Sequence, residues 1–278
     1  MHTAKLSDIR TNDSLFNYFA SWRDVHPAWS YCAAGYTLLM VACLIAGAMD
    51  DRMLYGVSVW TKPFKFSMSI ATYFATLVVF AQYAPRGFFA TWSGKTMTSI
   101  PVVCALFEMI YITGQGALGE PSHFNVGTTY HAIMYSLMGL GATMMVLVLP
   151  WMAVVLARAN SMAEPLMLAI VVGLVLTFIL GGGFGAYMSN QGGHWVGGAA
   201  SDAQGIALMK WARDGGDLRV AHFFGMHAMQ ALPLFAWLLP RKIPNRYALT
   251  LVVAFAAGYS AFSWATFNQA VQGQPFFG

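Results

Sequence analysis

The chain has 278 residues, of which 58% are hydrophobic and only 9% are charged, with a formal net charge of +4. Soluble domains carry roughly 25% charged residues, so this composition excludes a water-solvated surface and indicates a chain that faces lipid. The basic residues stand singly or in pairs between apolar runs, which excludes nucleic acid as the expected partner. The three cysteines show no CxxC spacing and predict apolar packing rather than disulfides or a thiolate metal site.

The first 28 residues are predicted to form a cytoplasmic segment ahead of a membrane domain that covers residues 29–278. This segment carries scattered charges and no continuous apolar run, so no cleavable signal peptide is expected. A cap signal at residues 12–14 precedes aromatic and apolar residues up to Trp22, which is typical of a short helix lying in the membrane interface. No stretch resembles a linker between domains.

Seven stretches of about 20 mainly apolar residues follow, each long enough to cross a bilayer as a helix. The predicted fold is therefore an all-α integral membrane bundle of about seven transmembrane helices, with the bilayer lipids as its first partner. The fourth stretch is over-long, which indicates a tilted or projecting helix. The predicted spans are residues 30–49, 65–84, 96–118, 128–157, 164–187, 220–240 and 247–271.

The distribution of Lys and Arg predicts the orientation in a bacterial cytoplasmic (inner) membrane. These residues are more frequent in the N-terminal segment and in every second connection, so the N-terminus is expected to be cytoplasmic and the C-terminus outside. The longest connection, residues 189–218, then lies outside and is rich in glycine. Long irregular loops are often lids, and a solvated loop that merely covers helix ends is an equally favoured alternative.

Polar and ionisable residues inside apolar spans are costly in lipid and therefore mark candidate sites. Glu108 and Gln115 lie seven residues apart on one face of the third span, with Tyr111 beside them. Since successive spans alternate in direction, the polar stretches of all spans are predicted to meet at the outer end of the bundle. The candidate site residues are Lys65, Glu108, Gln115, His131, Arg219, His222, His227 and Gln230.

One hypothesis is a haem or transition-metal centre, with iron, copper or zinc as the ion. Neutral imidazole is the commonest protein metal ligand, and histidines on helices also hold haem iron. Residues five apart on a helix diverge by about 140°, so the pair at 222 and 227 is not expected to grip one ion directly. In this hypothesis the metal ligands are His131, His222 and His227, with Glu108 as an acidic ligand or as a partner of a ligand.

The remaining candidates would support redox chemistry at that centre. Glu108 and Gln115 would orient ligands or relay protons, and Arg219 completes the predicted catalytic group. Lys65 or Arg219 would neutralise a carboxylate or propionate, and Gln230 would join the cofactor-binding side chains. The function that this pattern favours is a membrane-embedded haem- or metal-binding protein, a candidate membrane oxidoreductase, with its site near the extracytoplasmic face.

Two further function classes remain open. A transporter of a small solute or proton would also need polar groups within the bundle, although the inner halves of the spans are almost wholly apolar and no inverted repeat is present. An accessory or assembly subunit would use the polar cluster to dock a quinone or a partner membrane subunit. A retinal protein is excluded, because the last span has no lysine for a Schiff base.

Several segments carry a resemblance to known sequences. They are Trp60 to Phe66 (WTKPFKF), Ser122 to Asn125 (SHFN), Gly216 to Gln230 (GDLRVAHFFGMHAMQ) and Gln272 to Pro275 (QGQP). From the second span onward the chain resembles a family of uncharacterised bacterial multipass membrane proteins. The resemblance implies a fold type without an established activity, and it implies that these segments work together.

Overall fold

The computed structural model describes residues 21–277 of the chain. Within these residues, six helical segments are long and apolar enough to cross a membrane, which indicates a multipass, all-α bundle as predicted. The predicted interfacial helix of residues 11–22 lies almost wholly outside the described part. Four of the six segments are the helices α1 (Pro27–Met49), α2 (Thr61–Ala81), α3 (Trp92–Leu118) and α4 (Thr129–Ala159).

The fifth membrane segment, Pro165–Asn190, is not a uniform α-helix. It consists of α5 (Pro165–Leu176), a π-helical turn (Thr177–Gly182) and α6 (Gly183–Asn190). Single π-helical turns inside α-helices are rare and frequently lie at functional sites. The sixth segment is the C-terminal helix, α9 (Asn245–Val271). Two shorter helices precede it, α7 (Leu218–Met226) and α8 (Ala228–Leu238).

The predicted span of residues 220–240 corresponds to α7 and α8, which meet at a break at His227, so the count of seven long spans is not confirmed. The break has a tertiary cause, since the backbone N–H of Met229 donates to the hydroxyl of Thr177 instead of continuing the helical ladder. Pro233 adds to it, because proline supplies no N–H and its ring crowds the carbonyl four residues earlier.

Local signals explain where the second and third helices begin and end. Pro63 lies in the first turn of α2, where proline is tolerated, and α2 therefore starts four residues before the predicted boundary. The hydroxyl of Thr91 accepts the N–H of Gly94 and caps α3, which also starts four residues early. Gly119, with φ of 76°, ends α3 in the left-handed conformation typical of helix C-termini.

The glycine-rich stretch of the fifth membrane segment brings two backbones together. A Cβ atom at Gly225 of α7 would lie 2.6 Å from the backbone nitrogen of Gly181, which only glycine avoids. Small residues allow such close packing of membrane helices, and Gly181 has this role here. The π-helical turn and the break at His227 therefore face each other across this contact.

The connections divide between two ends of the bundle, because the segments alternate in direction. We call the end formed by residues 50–60, 119–128, 191–217 and 272–277 the polar end. It holds two small antiparallel pairs of strands, and residues 191–217, here called the strap, contribute the second pair. The strands are β1 (Met53–Leu54), β2 (Val57–Ser58), β3 (Trp195–Val196) and β4 (Gly216–Asp217).

Candidate functional site at the polar end

Arg219, in the first turn of α7, is the centre of a charged network beneath the strap. Its guanidinium donates to both carboxylate oxygens of Asp217, with the shortest N–O distance 2.6 Å. It also binds Asp202 of the strap in a two-pronged pair, at 3.0 and 2.8 Å, and the backbone oxygen of Lys210 at 2.6 Å. Paired, nearly parallel contacts of this kind are the strongest that arginine makes with carboxylates.

This geometry changes the expected role of Arg219. The side chain is only 19% exposed and its donors are engaged by the chain's own oxygens. It therefore clamps the strap onto the start of α7 and is not poised to neutralise the propionate of a bound cofactor. The two partners, Asp202 and Asp217, are not among the candidate site residues that the sequence predicts. Asp217 could have been found as the N-cap of α7, since its carboxylate accepts the N–H of Arg219.

The strap is further fixed to neighbouring elements. His194 Nε2 lies 3.5 Å from Asp202 Oδ1, an electrostatic contact that lacks hydrogen-bond geometry. The N–H of Asp202 donates to the backbone oxygen of Tyr55 in the β1–β2 turn. The buried Trp211 packs against Phe223 of α7, with ring centroids 5.4 Å apart. The sequence leaves open whether this loop is a lid or a solvated covering of helix ends. In the structure it is a folded cover that is attached to its neighbours at several points.

The strap network shifts the ionisation of its members. Burial lowers the pKa of the His194 imidazole below its ordinary value. Burial alone would raise the pKa of Asp202, but the contacts with His194 and Arg219 hold it well below its ordinary value. Asp202 is therefore a carboxylate and His194 is a neutral imidazole near pH 7.

Two lysines of α2 lie at the polar end without a carboxylate partner among the described residues. Lys65 Nζ donates to the backbone oxygen of Met209 in the strap at 3.3 Å. Lys62 Nζ lies 5.8 Å from the centre of the Phe66 ring. Burial and the positive charge of Lys62 lower the pKa of His123 well below its ordinary value. With Arg219 fully engaged, Lys65 and Lys62 are the cations best able to meet an anionic group.

The structure places His131 apart from the other predicted ligands. Its Nδ1 lies 3.1 Å from the hydroxyl of Thr128, the cap of α4, and its Nε2 lies 3.3 Å from Glu120. Both ring nitrogens therefore have protein partners. The geometry is that of a helix-cap imidazole paired with an exposed carboxylate.

His222 and His227 share a different arrangement. His222 Nδ1 lies 3.0 Å from the backbone oxygen of Gly181, so it donates its proton there. His227 Nδ1 lies 3.2 Å from Oε1 of Gln230, whose amide nitrogen donates to Thr76 of α2 at 3.0 Å. No hydrogen bond to either Nε2 atom comes from the described residues. Each ring is thus fixed through Nδ1 and keeps an Nε2 lone pair, which is how metal-ligating histidines are commonly held.

The two imidazoles face different neighbours, as their five-residue separation predicts. His222 lies against the fifth membrane segment, where a Cβ at Gly185 would come within 2.9 Å of its ring. His227 faces α2 through Gln230 and packs on Phe223, with ring centroids 4.3 Å apart. Phe223 in turn contacts Trp211 of the strap, so His227 lies beneath the strap in a row of three aromatic rings.

Glu108 and Gln115 lie on the buried face of α3, 5% and 4% exposed. Among the described residues, Glu108 Oε1, the hydroxyl of Tyr111 and Gln115 Oε1 lack a hydrogen-bond partner. Glu108 lies against Gly141 of α4, where a Cβ would come within 3.2 Å of its carboxyl oxygen. These oxygen atoms therefore make no hydrogen bond to a histidine of the described part of the chain.

Within residues 21–277, no three or more His, Cys, Asp or Glu side chains form a group that could hold a metal ion. The predicted set of His131, His222, His227 and Glu108 is thus not assembled as one cluster of protein ligands. What the structure brings together is the strap clamp around Arg219 and the pair of Nδ1-anchored histidines below it.

Comparisons of the chain with protein-family models, with curated proteins and with solved structures find no match.

Proposed function

We propose that the protein is a membrane-embedded haem protein with a redox role, and that the imidazole of His227 would hold the haem iron. The observation that carries the proposal is the anchoring of His227: its Nδ1 is held by Gln230, which is itself held by Thr76, and its Nε2 has no partner among the described residues. A hydrogen bond at Nδ1 fixes the tautomer and the ring orientation that ligation through Nε2 requires.

The donor set favours a haem over a bare ion. A structural or catalytic zinc site needs three or four protein ligands, and the described residues contain no group of that size. Haem iron receives four nitrogens from its own macrocycle and needs one or two from the protein. One anchored imidazole, that of His227, meets this requirement. When bound, the haem would supply one-electron chemistry.

The chain's own residues would orient and shield such a group. Lys65 and Lys62 are the cations suited to its carboxylates, because neither is paired with a carboxylate among the described residues. The strap, fixed by Arg219, would cover the site and exclude water from it. Binding of a quinone or of a partner membrane subunit stays a prediction, and so does the assignment of the polar end to the extracytoplasmic side.

The test is an absorption spectrum with elemental analysis of the protein purified in mild detergent. A Soret band with about one iron per chain is expected for the natural protein. The band should be lost in His227→Ala and partly restored by added imidazole, because a small-molecule imidazole can occupy the ligand position. His131→Ala is the matched control and should keep the band, since both nitrogens of His131 have protein partners. A protein without a Soret band, or a folded His227→Ala variant that retains the band, would refute the proposal.

A further inference from the structure

Three buried polar side chains of α3, Glu108, Tyr111 and Gln115, lie in a row inside the bundle. They are 5%, 7% and 4% exposed, and each has a side-chain oxygen with no hydrogen-bond partner among the described residues. Buried polar atoms are almost always paired, so three such oxygens on one helix face require an explanation. At 100° per residue these positions lie within about 60° of one another, so they share one helix face.

The row runs from the interior of α3 to the polar end. Seven residues separate Glu108 from Gln115, which corresponds to about 10 Å along the helix axis. Gln115 lies three residues before the end of α3 at Leu118, where the chain enters the connection 119–128. The three oxygen-bearing side chains therefore lie along one helix face between the interior of the bundle and its polar end.

The surroundings of Glu108 contain no compensating charge. The titratable groups in electrostatic contact with it are Tyr36 of α1 and Cys104, one turn earlier in α3. Both are neutral at ordinary pH. On the side of α4 the carboxyl meets Gly141. Tyr73 of α2 is in electrostatic contact with Cys104 and donates its hydroxyl to the backbone oxygen of Met145. No ion pair or hydrogen bond reaches Glu108 from the described residues.

We propose that Glu108 is a proton-exchange site within the membrane, and that the row of Tyr111 and Gln115 connects it to the polar end. An uncompensated carboxylate in this position would cost several kcal/mol, so the group needs a bound proton as its counter-charge. Release of that proton breaks the O–H bond of the carboxylic acid and forms one on a water oxygen. Tyr111 and Gln115 supply the open hydrogen-bonding positions that would hold such water.

Gly141 has a defined part in this site. The Cβ of an alanine there would approach the carboxyl oxygen to 3.2 Å, so glycine allows the carboxyl group to lie close against the backbone of α4. The proposal concerns residues other than the histidines and does not depend on a bound haem.

The experiment follows the C=O stretching band of a buried carboxylic acid by infrared spectroscopy of the full chain in lipid vesicles. The band should be present in the natural protein, absent in Glu108→Gln and shifted in Glu108→Asp. After transfer into D2O the band should shift as the acid proton is replaced. That exchange should slow by about tenfold or more in Tyr111→Phe combined with Gln115→Leu, because the relay is interrupted.

Thr113→Val is the matched control. Its hydroxyl is also buried without a partner, but it lies on a different face of α3, about 140° from Glu108. This variant should exchange at the natural rate. A carboxylic acid band that survives Glu108→Gln would overturn the proposal. So would an unchanged exchange rate in the double variant, or a band that disappears when sodium is added, which would indicate a cation site instead.

Discussion

The strap and the interior of α3 hold polar groups in opposite ways. Around Arg219 the charges are closely paired, with two carboxylates and a backbone oxygen surrounding one guanidinium. Around Glu108, three buried side chains have oxygens with no partner among residues 21–277. Paired groups of the first kind hold a structure together, whereas orphan groups of the second kind cost stability and persist where a ligand or a proton completes them. The contrast separates residues that build the polar end from residues that act there.

Arg219→Met should give the largest loss of stability. The substitution leaves Asp202 and Asp217 buried, only 8% and 1% exposed, without their cation. Removing one partner of a buried ion pair typically costs about 3–5 kcal/mol, so we expect a loss near the lower bound because the arginine side chain is 19% exposed. The free energy of unfolding in detergent measures this effect. Arg52→Met, which removes the exposed pair with Asp50, is the control and should change stability little.

The second-largest effect should come from acidification, which lowers the stability of the folded strap. The pKa of His194 is lowered in the folded protein, so below about pH 6.5 the unfolded chain binds a proton that the folded chain does not, and stability falls. The pKa of Asp202 is also lowered, so its contribution is complete above about pH 4 and is lost as the pH falls further. The hydrogen-exchange protection factors of residues 191–217, which correct for the intrinsic pH dependence of exchange, should fall in these two steps. Asp202→Asn should remove the lower step, and an unchanged profile in that variant would contradict the assignment.

Thr177→Val should have an intermediate effect. Thr177 is fully buried, and its hydroxyl accepts the N–H of Met229 at the helix break. Valine has nearly the same shape but leaves that N–H without a partner, which costs about 1–3 kcal/mol. Thermal unfolding measures the loss, and Thr177→Ser, which keeps the hydroxyl, should restore most of it. Equal stability of the valine and serine variants would show that the bond does not maintain the break.

Glu108→Met should give the smallest change, and in the opposite direction. Replacing a partnerless buried carboxyl group with an apolar side chain of similar length removes a desolvation cost, so stability should rise by about 1 kcal/mol. Chemical denaturation of the variant and the natural protein side by side measures the difference. A clear loss of stability would mean that Glu108 has a stabilising partner and would remove the contrast with Arg219.

The sequence predicts some parts of this arrangement well. Apolar runs of about 20 residues locate the membrane segments, and alternating direction predicts which connections share an end, because both depend only on hydropathy and chain geometry. The end of α3 was predicted correctly because Gly119 is a local signal. The divergence of His222 and His227 follows from 100° per residue and agrees with their different neighbours.

Other parts depend on contacts between distant residues. The helix break at His227 requires Thr177, about 50 residues earlier, whose hydroxyl captures a backbone N–H. The pairing of Arg219 with Asp202 joins a helix to an irregular strap, where no periodicity indicates which side chains meet. The isolation of His131 depends on Glu120 and Thr128 in a connection whose course was not predicted. Local patterns carry no information on such contacts.

The central claim is that His227 holds a redox-active haem, and the most direct measurement is the reduced-minus-oxidised absorption spectrum of the natural protein and His227→Ala. We expect difference bands characteristic of haem in the natural protein and their loss in the variant, which keeps its fold by circular dichroism. A flat difference spectrum for natural protein extracted gently from its membrane, with no stoichiometric iron, would contradict the claim.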